Sequence, residues 1–186
     1  MVIIKNNYYL YIENTMSISL DLLKKNKKII IIYRNNENVE QYTKIYAFRK
    51  KCKVKNFKFY IANNYELAKS CNADGLYLSA YNKKIYPLYG SSLIGSAHNF
   101  KEIYEKIKQG CSTIILSRLF KTDYNDKKGH LGPIKFNLLI SKYKIAIIPL
   151  GGIKDSNLNK LNLVNSSGLA LFSEIKKKPD ITTRLF

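Results

Sequence analysis

The chain has 186 residues, 46% of them hydrophobic, which is enough for one buried core and predicts a single domain over 1–186. Its formal net charge of +19 would suit a nucleic-acid partner, yet arginine stands only at 34, 49, 118 and 184, and the lysines are dispersed. The joint excess of Lys, Asn, Ile and Tyr is what AT-rich codons produce, so the composition argues against nucleic-acid binding and leaves a basic field that would gather anionic phosphate ligands. The longest apolar run, 29–33, is far too short to cross a bilayer, and the N-terminus lacks the pattern of a secretory signal. Cys52, Cys71 and Cys111 have no metal-ligand spacing and read as reduced thiols of a cytoplasmic protein.

In chain order, short β-rich runs fall at 8–12, 29–33, 58–62, 75–79, 92–97, 113–119, 145–151 and 168–173. Most are continuously apolar rather than alternating, as expected of parallel strands covered on both faces. Between them lie segments of helical period. Val39, Tyr42, Tyr46 and Ala47 predict a sheet-facing stripe after the second strand, and Phe100, Ile103, Tyr104 and Ile107 predict another after the fifth. Asn99 with Glu102 forms a capping box for the latter helix, and Gly110 offers its left-handed stop. Asp155 or Ser156 would cap a helix bearing Leu158 and Leu161. Residues 81–91 are the weakest helix candidate, and the tail after Ser173 is short enough to truncate the last helix. Eight strand–helix alternations, with no glycine-rich loop after the first strand, predict an α/β fold of the (β/α)8 TIM-barrel class rather than an open doubly wound sheet.

A barrel of this kind works at the carboxyl ends of its strands. The polar residues predicted there are Arg34, Asn63, Asn64, Asn82, Ser96, His98, Thr122, Gly151, Gly152 and Ser173. Paired glycines let main-chain N–H groups approach phosphate oxygens closely.

The order and spacing of IIYR, IANNYELAKSCNADGLYLSA, IGSAHN, LFKTD, IIPLGGI and GLALFSEI resemble the thiamine-phosphate synthase/TenI family, from the first strand to Ile175. The resemblance implies a thiazole-phosphate pocket at Gly151, Gly152, Phe172 and Ser173, pyrophosphate contacts from Arg34 and Ser96, and a loop threonine at Thr122. It also implies thiamine biosynthesis, with a phosphorylated thiazole or thiamine ligand as partner. Assembly into a homo-oligomer stays open.

Several positions depart from the synthase pattern. Ile32 and Asn36 flank Arg34 where the family usually has Gln and Lys, and Asn63 and Asn82 stand at its two magnesium-aspartate positions. Tyr124 and Asn125 align with a threonine–lysine pair, though Lys127 and Lys128 lie nearby. Pyrophosphate leaves readily only when its charge is neutralised, and magnesium prefers anionic oxygen. No cofactor is therefore expected unless the chain is a synthase. The sixth loop, LFKTDYNDKKG, looks closer to the TenI loop, and in TenI-type tautomerases a histidine at the place of His98 is assigned proton transfer. The favoured reading is a TenI-like binder or tautomerase; the rivals are an active synthase with an altered metal site and a non-catalytic sensor.

Blander readings accompany these. Asn63 with Glu66 is a capping pair, favoured over ligand binding. Asp74 reads as a turn or cap residue and Tyr77 as core filling with a tethered hydroxyl. Asn82 is equally a loop residue, His98 equally a helix-entry hydrogen-bonder, and His130 belongs to a loop.

Overall fold

The computed structural model describes residues 5–23, 28–35, 40–87, 92–122 and 129–171. Its strands are β1 (Asn7–Ile12), β2 (Lys28–Tyr33), β3 (Lys58–Ala62), β4 (Gly75–Leu78), β5 (Leu93–Ala97), β6 (Thr113–Ser117), β7 (Ala146–Leu150) and β8 (Gly168–Leu171). They close into a parallel barrel in sequence order, β8 pairing with β1 through Asn7↔Gly168 to Leu10↔Leu171. The helices are α1 (Tyr42–Val54), α2 (Tyr65–Ser70), α3 (Phe100–Lys108) and α4 (Gly132–Ile140), with 3-10 helices at Leu20–Leu22 and Asp155–Leu163. The chain is a (β/α)8 barrel in which 3-10 turns serve after β1 and β7. Residues 81–87 carry no helix, in keeping with the weak signal there.

The barrel interior explains the tyrosine content. Tyr9, Tyr11, Ile30, Ile32, Tyr60, Tyr77, Ile94, Ile115, Ile148 and Ala170 form the inner cluster. A Cβ on Gly75 would lie 2.3 Å from the Tyr60 ring, and one on Gly168 would lie 3.0 Å from the Tyr9 ring. Glycine opposite tyrosine is thus the large–small pairing that fills a small barrel. The buried phenols keep polar neighbours: Tyr11 donates to the Tyr77 hydroxyl at 3.1 Å, while Thr113 and Ser92 lower the hydroxyl pKa of Tyr9 and Tyr60 against the rise from burial.

The helices dock only in part on the faces that their periodicity predicts, Ile103 alone of the stripe residues named on α1 and α3 being buried among those described. On α1 the buried residues are Ile45, Phe48, Arg49 and Cys52, whereas Tyr42 and Tyr46 stack outside with Lys50 over Tyr46. Val39 lies outside the described residues. On α3, Ile103 and Lys106 are buried, while Phe100, Tyr104 and Ile107 are exposed. The ammonium groups of Lys142 and Lys108 lie over Phe100 and Tyr104, so cation–π contact covers ridges that the core does not. The N-cap of α2 is Asn64, which accepts from Leu67 N–H at 3.0 Å, and not Asn63. The segment 155–163 is 3-10, and there Asn157 accepts from the Lys154 N–H, in place of capping by Asp155 or Ser156. Asp74 is structural: it accepts from Phe59 N–H at 2.7 Å and pairs with Arg49 at 3.1 Å at the opposite end of the barrel from the expected site.

Candidate functional site

Every predicted site residue among those described lies at or after the carboxyl end of its strand, and closure of the barrel gathers these ends on one face. Phe172, Ser173, Asn36, Tyr124, Asn125, Lys127 and Lys128 lie outside the described residues.

The floor of this face is a hydroxyl chain. Tyr11 and Tyr77, on β1 and β4, meet at 3.1 Å between hydroxyls, with rings edge to face at 5.5 Å. Ser96, inward-facing on β5 two residues after Ile94, is close enough to Tyr77 to draw its hydroxyl pKa down against the rise that burial causes. Burial pushes the Tyr11 hydroxyl well above its usual pKa, and the neighbouring Tyr77 pushes it further. The positive charge of Arg34 partly offsets the rise at both tyrosines. Arg34 Nε is buried with no hydrogen-bond partner among the described residues. A buried cationic donor left unsatisfied is costly and calls for an acceptor.

On one flank, β3 and β4 bring Asn63 and Asn82 together although they are 19 residues apart, Asn82 Nδ2 donating to Asn63 Oδ1 at 3.0 Å. Ser79 donates to the same oxygen from its N–H and its hydroxyl, both at 3.0 Å. Asn63 sits at φ 56°, a left-handed conformation that asparagine tolerates. Lys106 supports this flank from below, fully buried, with Nζ donating to Asn82 O at 2.7 Å and Gln109 Oε1 at 2.8 Å. Burial pulls its ammonium below the ordinary lysine pKa.

These donors do not fit the magnesium ion that the family pattern implies. Two carboxylates this close would need a cation between them, whereas here one amide donates and the other accepts. No cluster of three His, Cys, Asp or Glu side chains that could hold a metal occurs among the described residues.

His98 stands where β5 enters α3, its side chain 56% exposed. Glu102 Oε2 lies 2.9 Å from His98 Nδ1 and accepts from the His98 N–H at 2.7 Å, while Asn99 Oδ1 accepts from Glu102 N–H at 2.9 Å. Burial pulls the Glu102 carboxyl up, but the bonds from His98 and Asn99 outweigh it, and the net shift is downward. The stabilisation from this carboxylate is therefore complete above its unfolded pKa, ordinarily 4.5, and is lost as pH falls through the lower folded value. Thermal unfolding of wild type and Glu102→Gln across about pH 3 to 7 is expected to show the wild-type advantage at the neutral end and convergence at the acid end.

After β7, Gly151 and Gly152 take φ 98° and 70°. The turn packs against the loop after β6: Phe120 N–H donates to Gly151 O at 3.0 Å, and Asn157 Nδ2 to Gly152 O at 2.7 Å. Thr122 accepts from Arg118 Nη1 at 3.0 Å, and the Arg118 stem covers Gly151. Thus Arg34 and Ser96 share the tyrosine floor, Thr122 and Gly151 share Arg118, and His98 bonds into the entry of α3. Sequence reasoning passed over Tyr11, Arg118 and Lys106. The rarity of arginine in so lysine-rich a chain was the available signal for Arg118.

The fold and site define an α/β barrel that presents a glycine turn, a half-buried arginine whose Nε is unsatisfied and a paired-amide flank at the carboxyl ends of its strands. A family model described as thiamine monophosphate synthase matches residues 2–175, and the chain belongs to this TMP-TENI family. Thiamine-phosphate synthase of Prochlorococcus marinus subsp. pastoris is 29% identical over 188 residues, covering 96% of this chain and 54% of that protein. The namesake from a second Prochlorococcus marinus strain is 27% identical over 174 residues, covering 90% and 50%. The chain thus spans about half the length of these relatives. In fold it is similar to a thiamine phosphate pyrophosphorylase from Pyrococcus furiosus, with a TM-score of 0.74 at 18% identity, covering 97% of this chain and 91% of that one. No helix among the described residues is long and apolar enough to cross a membrane.

Proposed function

We propose that this chain is a TenI-like member of the family that binds a thiazole phosphate or thiamine phosphate at the barrel mouth without magnesium. The observation that carries the reading is the bond from Asn82 Nδ2 to Asn63 Oδ1, at the positions where the synthase pattern has carboxylates. A site without those carboxylates offers magnesium two fewer anionic ligands and so neutralises departing pyrophosphate less well, and electrostatic losses of this kind cost about a hundredfold or more in rate.

The remaining polar groups suit a monoester. The Gly151–Gly152 turn offers main-chain approach to phosphate oxygens, Ser96 and Thr122 offer hydroxyls, and the unsatisfied Nε of Arg34 would find its acceptor in the ligand. For tautomerase chemistry His98 is the acid/base. With Nδ1 held by Glu102, Nε2 is the nitrogen directed to proton exchange.

Calorimetric titration with thiazole phosphate and with the pyrimidine pyrophosphate, each with and without magnesium, tests this. Binding of the first, indifferent to the metal, and none of the second is expected. Magnesium-dependent release of pyrophosphate from the two together would overturn the reading in favour of the synthase activity for which the relatives are named. Thiazole phosphate binding unaffected by His98→Ala, with no turnover of any thiazole, would make the chain a sensor rather than a tautomerase.

A further inference from the structure

A dianionic ligand gripped only by main-chain N–H groups and hydroxyls keeps its charge unneutralised, so a phosphate turn of this kind gains much from a nearby cation. Arg34 belongs to the tyrosine floor under β1, β2 and β4. The turn after β7 has a different arginine beside it.

Arg118 follows β6, the neighbour of β7, with which it pairs through Ser117↔Leu150. A Cβ built on Gly151 would lie 3.1 Å from Arg118 Cγ and 3.4 Å from its Cβ. The arginine stem therefore lies flat on the first glycine of the turn. That contact adds a steric reason for glycine at 151 to the conformational one, φ 98°. At the far end of the side chain, Nη1 donates to Thr122 Oγ1 at 3.0 Å. The guanidinium is thereby led from the glycine turn to the loop threonine Thr122, two separately predicted site positions. The residue is only partly buried and keeps some contact with solvent. A planar guanidinium matches two phosphate oxygens at once, which the point charge of lysine does not.

We propose that Arg118 is the charge-bearing ligand of the phosphate pocket, joining the Gly151–Gly152 turn and Thr122 into one anion clasp. This rests on the phosphate-binding reading above and names a residue that reading does not use. The clasp would set a preference for phosphorylated over unphosphorylated thiazole.

Calorimetric titration of wild type, Arg118→Ala and Arg118→Lys with thiazole phosphate and with the unphosphorylated thiazole alcohol tests it. Removing a charge-assisted, bidentate contact is expected to weaken phosphate-ester binding by about thirtyfold or more. Alcohol binding should stay unchanged, and added guanidinium ion should restore part of the loss in Arg118→Ala. The lysine variant keeps the stem over Gly151 and the charge but not the fork, and should fall between. Should the alanine variant fail to fold, the lysine variant decides: a drop of about fivefold for the ester alone supports the clasp, and ester affinity within about twofold of wild type overturns it. Equal loss of ester and alcohol would also overturn it, assigning Arg118 a merely structural part. Failure of the underlying reading looks different, because wild type itself would then bind no ester.

Discussion

Gly152→Ala is expected to destabilise the fold by about 3 kcal/mol and to abolish binding of a phosphorylated ligand. Two effects add. At φ 70° an L side chain is strained by about 1 kcal/mol. The new Cβ would also meet Phe120 O at 2.4 Å and Lys121 O at 2.5 Å, and these are backbone atoms that move only if the loop after β6 moves. That loop carries Thr122 and packs on the turn through the Phe120 N–H bond to Gly151 O, so displacement would spread through the proposed pocket. Gly110→Ala is the internal control. Its φ is 80° but nothing lies within 4 Å of the added carbon, so only the strain remains. Urea denaturation of both variants separates the terms. Equal losses would mean that the turn and the β6 loop are not in the contact described.

The double variant Asn63→Asp/Asn82→Asp is expected to lose about 2 kcal/mol at neutral pH without metal and to acquire a magnesium dependence that wild type lacks. Asn63→Asp alone should be nearly neutral, because Ser79 N–H, Ser79 Oγ and Asn82 Nδ2 all donate to the oxygen it retains. Asn82→Asp alone removes a donor and sets two oxygens together. With both changed, two carboxylates meet where one amide donated to the other at 3.0 Å, and the losses exceed the sum of the singles. Repulsion raises the carboxyl pKa in the folded state, so the destabilisation is full above that raised value and fades as pH falls through it. Thermal unfolding with and without millimolar magnesium reads the outcome. A magnesium stabilisation of wild type as large as that of the double variant would sink the claim that the amide pair has replaced the ion.

The barrel was legible in the residue string because its strands are covered on both faces. Burial there is demanded locally, and most of the strands announce themselves as apolar runs bounded by polar residues. The capping box of Asn99 and Glu102 was legible for the same reason, since its partners lie three residues apart. Helix faces were not. The stripes of α1 and α3 have helical period, but which side turns inward depends on the docking of the whole helix, and on α3 the buried Lys106 displaces Tyr104 and Ile107 to solvent. Asn63 shows the same division within one residue. Its type and position suggested a cap, but the pairing of β3 with β4 brought Ser79 and Asn82 to its side chain and left the cap to Asn64. Local chemistry thus specified the alternation of elements and which strand ends carry polar groups. Only closure of the barrel, which places β6 beside β7 and β3 beside β4, decided that Arg118 covers Gly151 and that two asparagines bond each other.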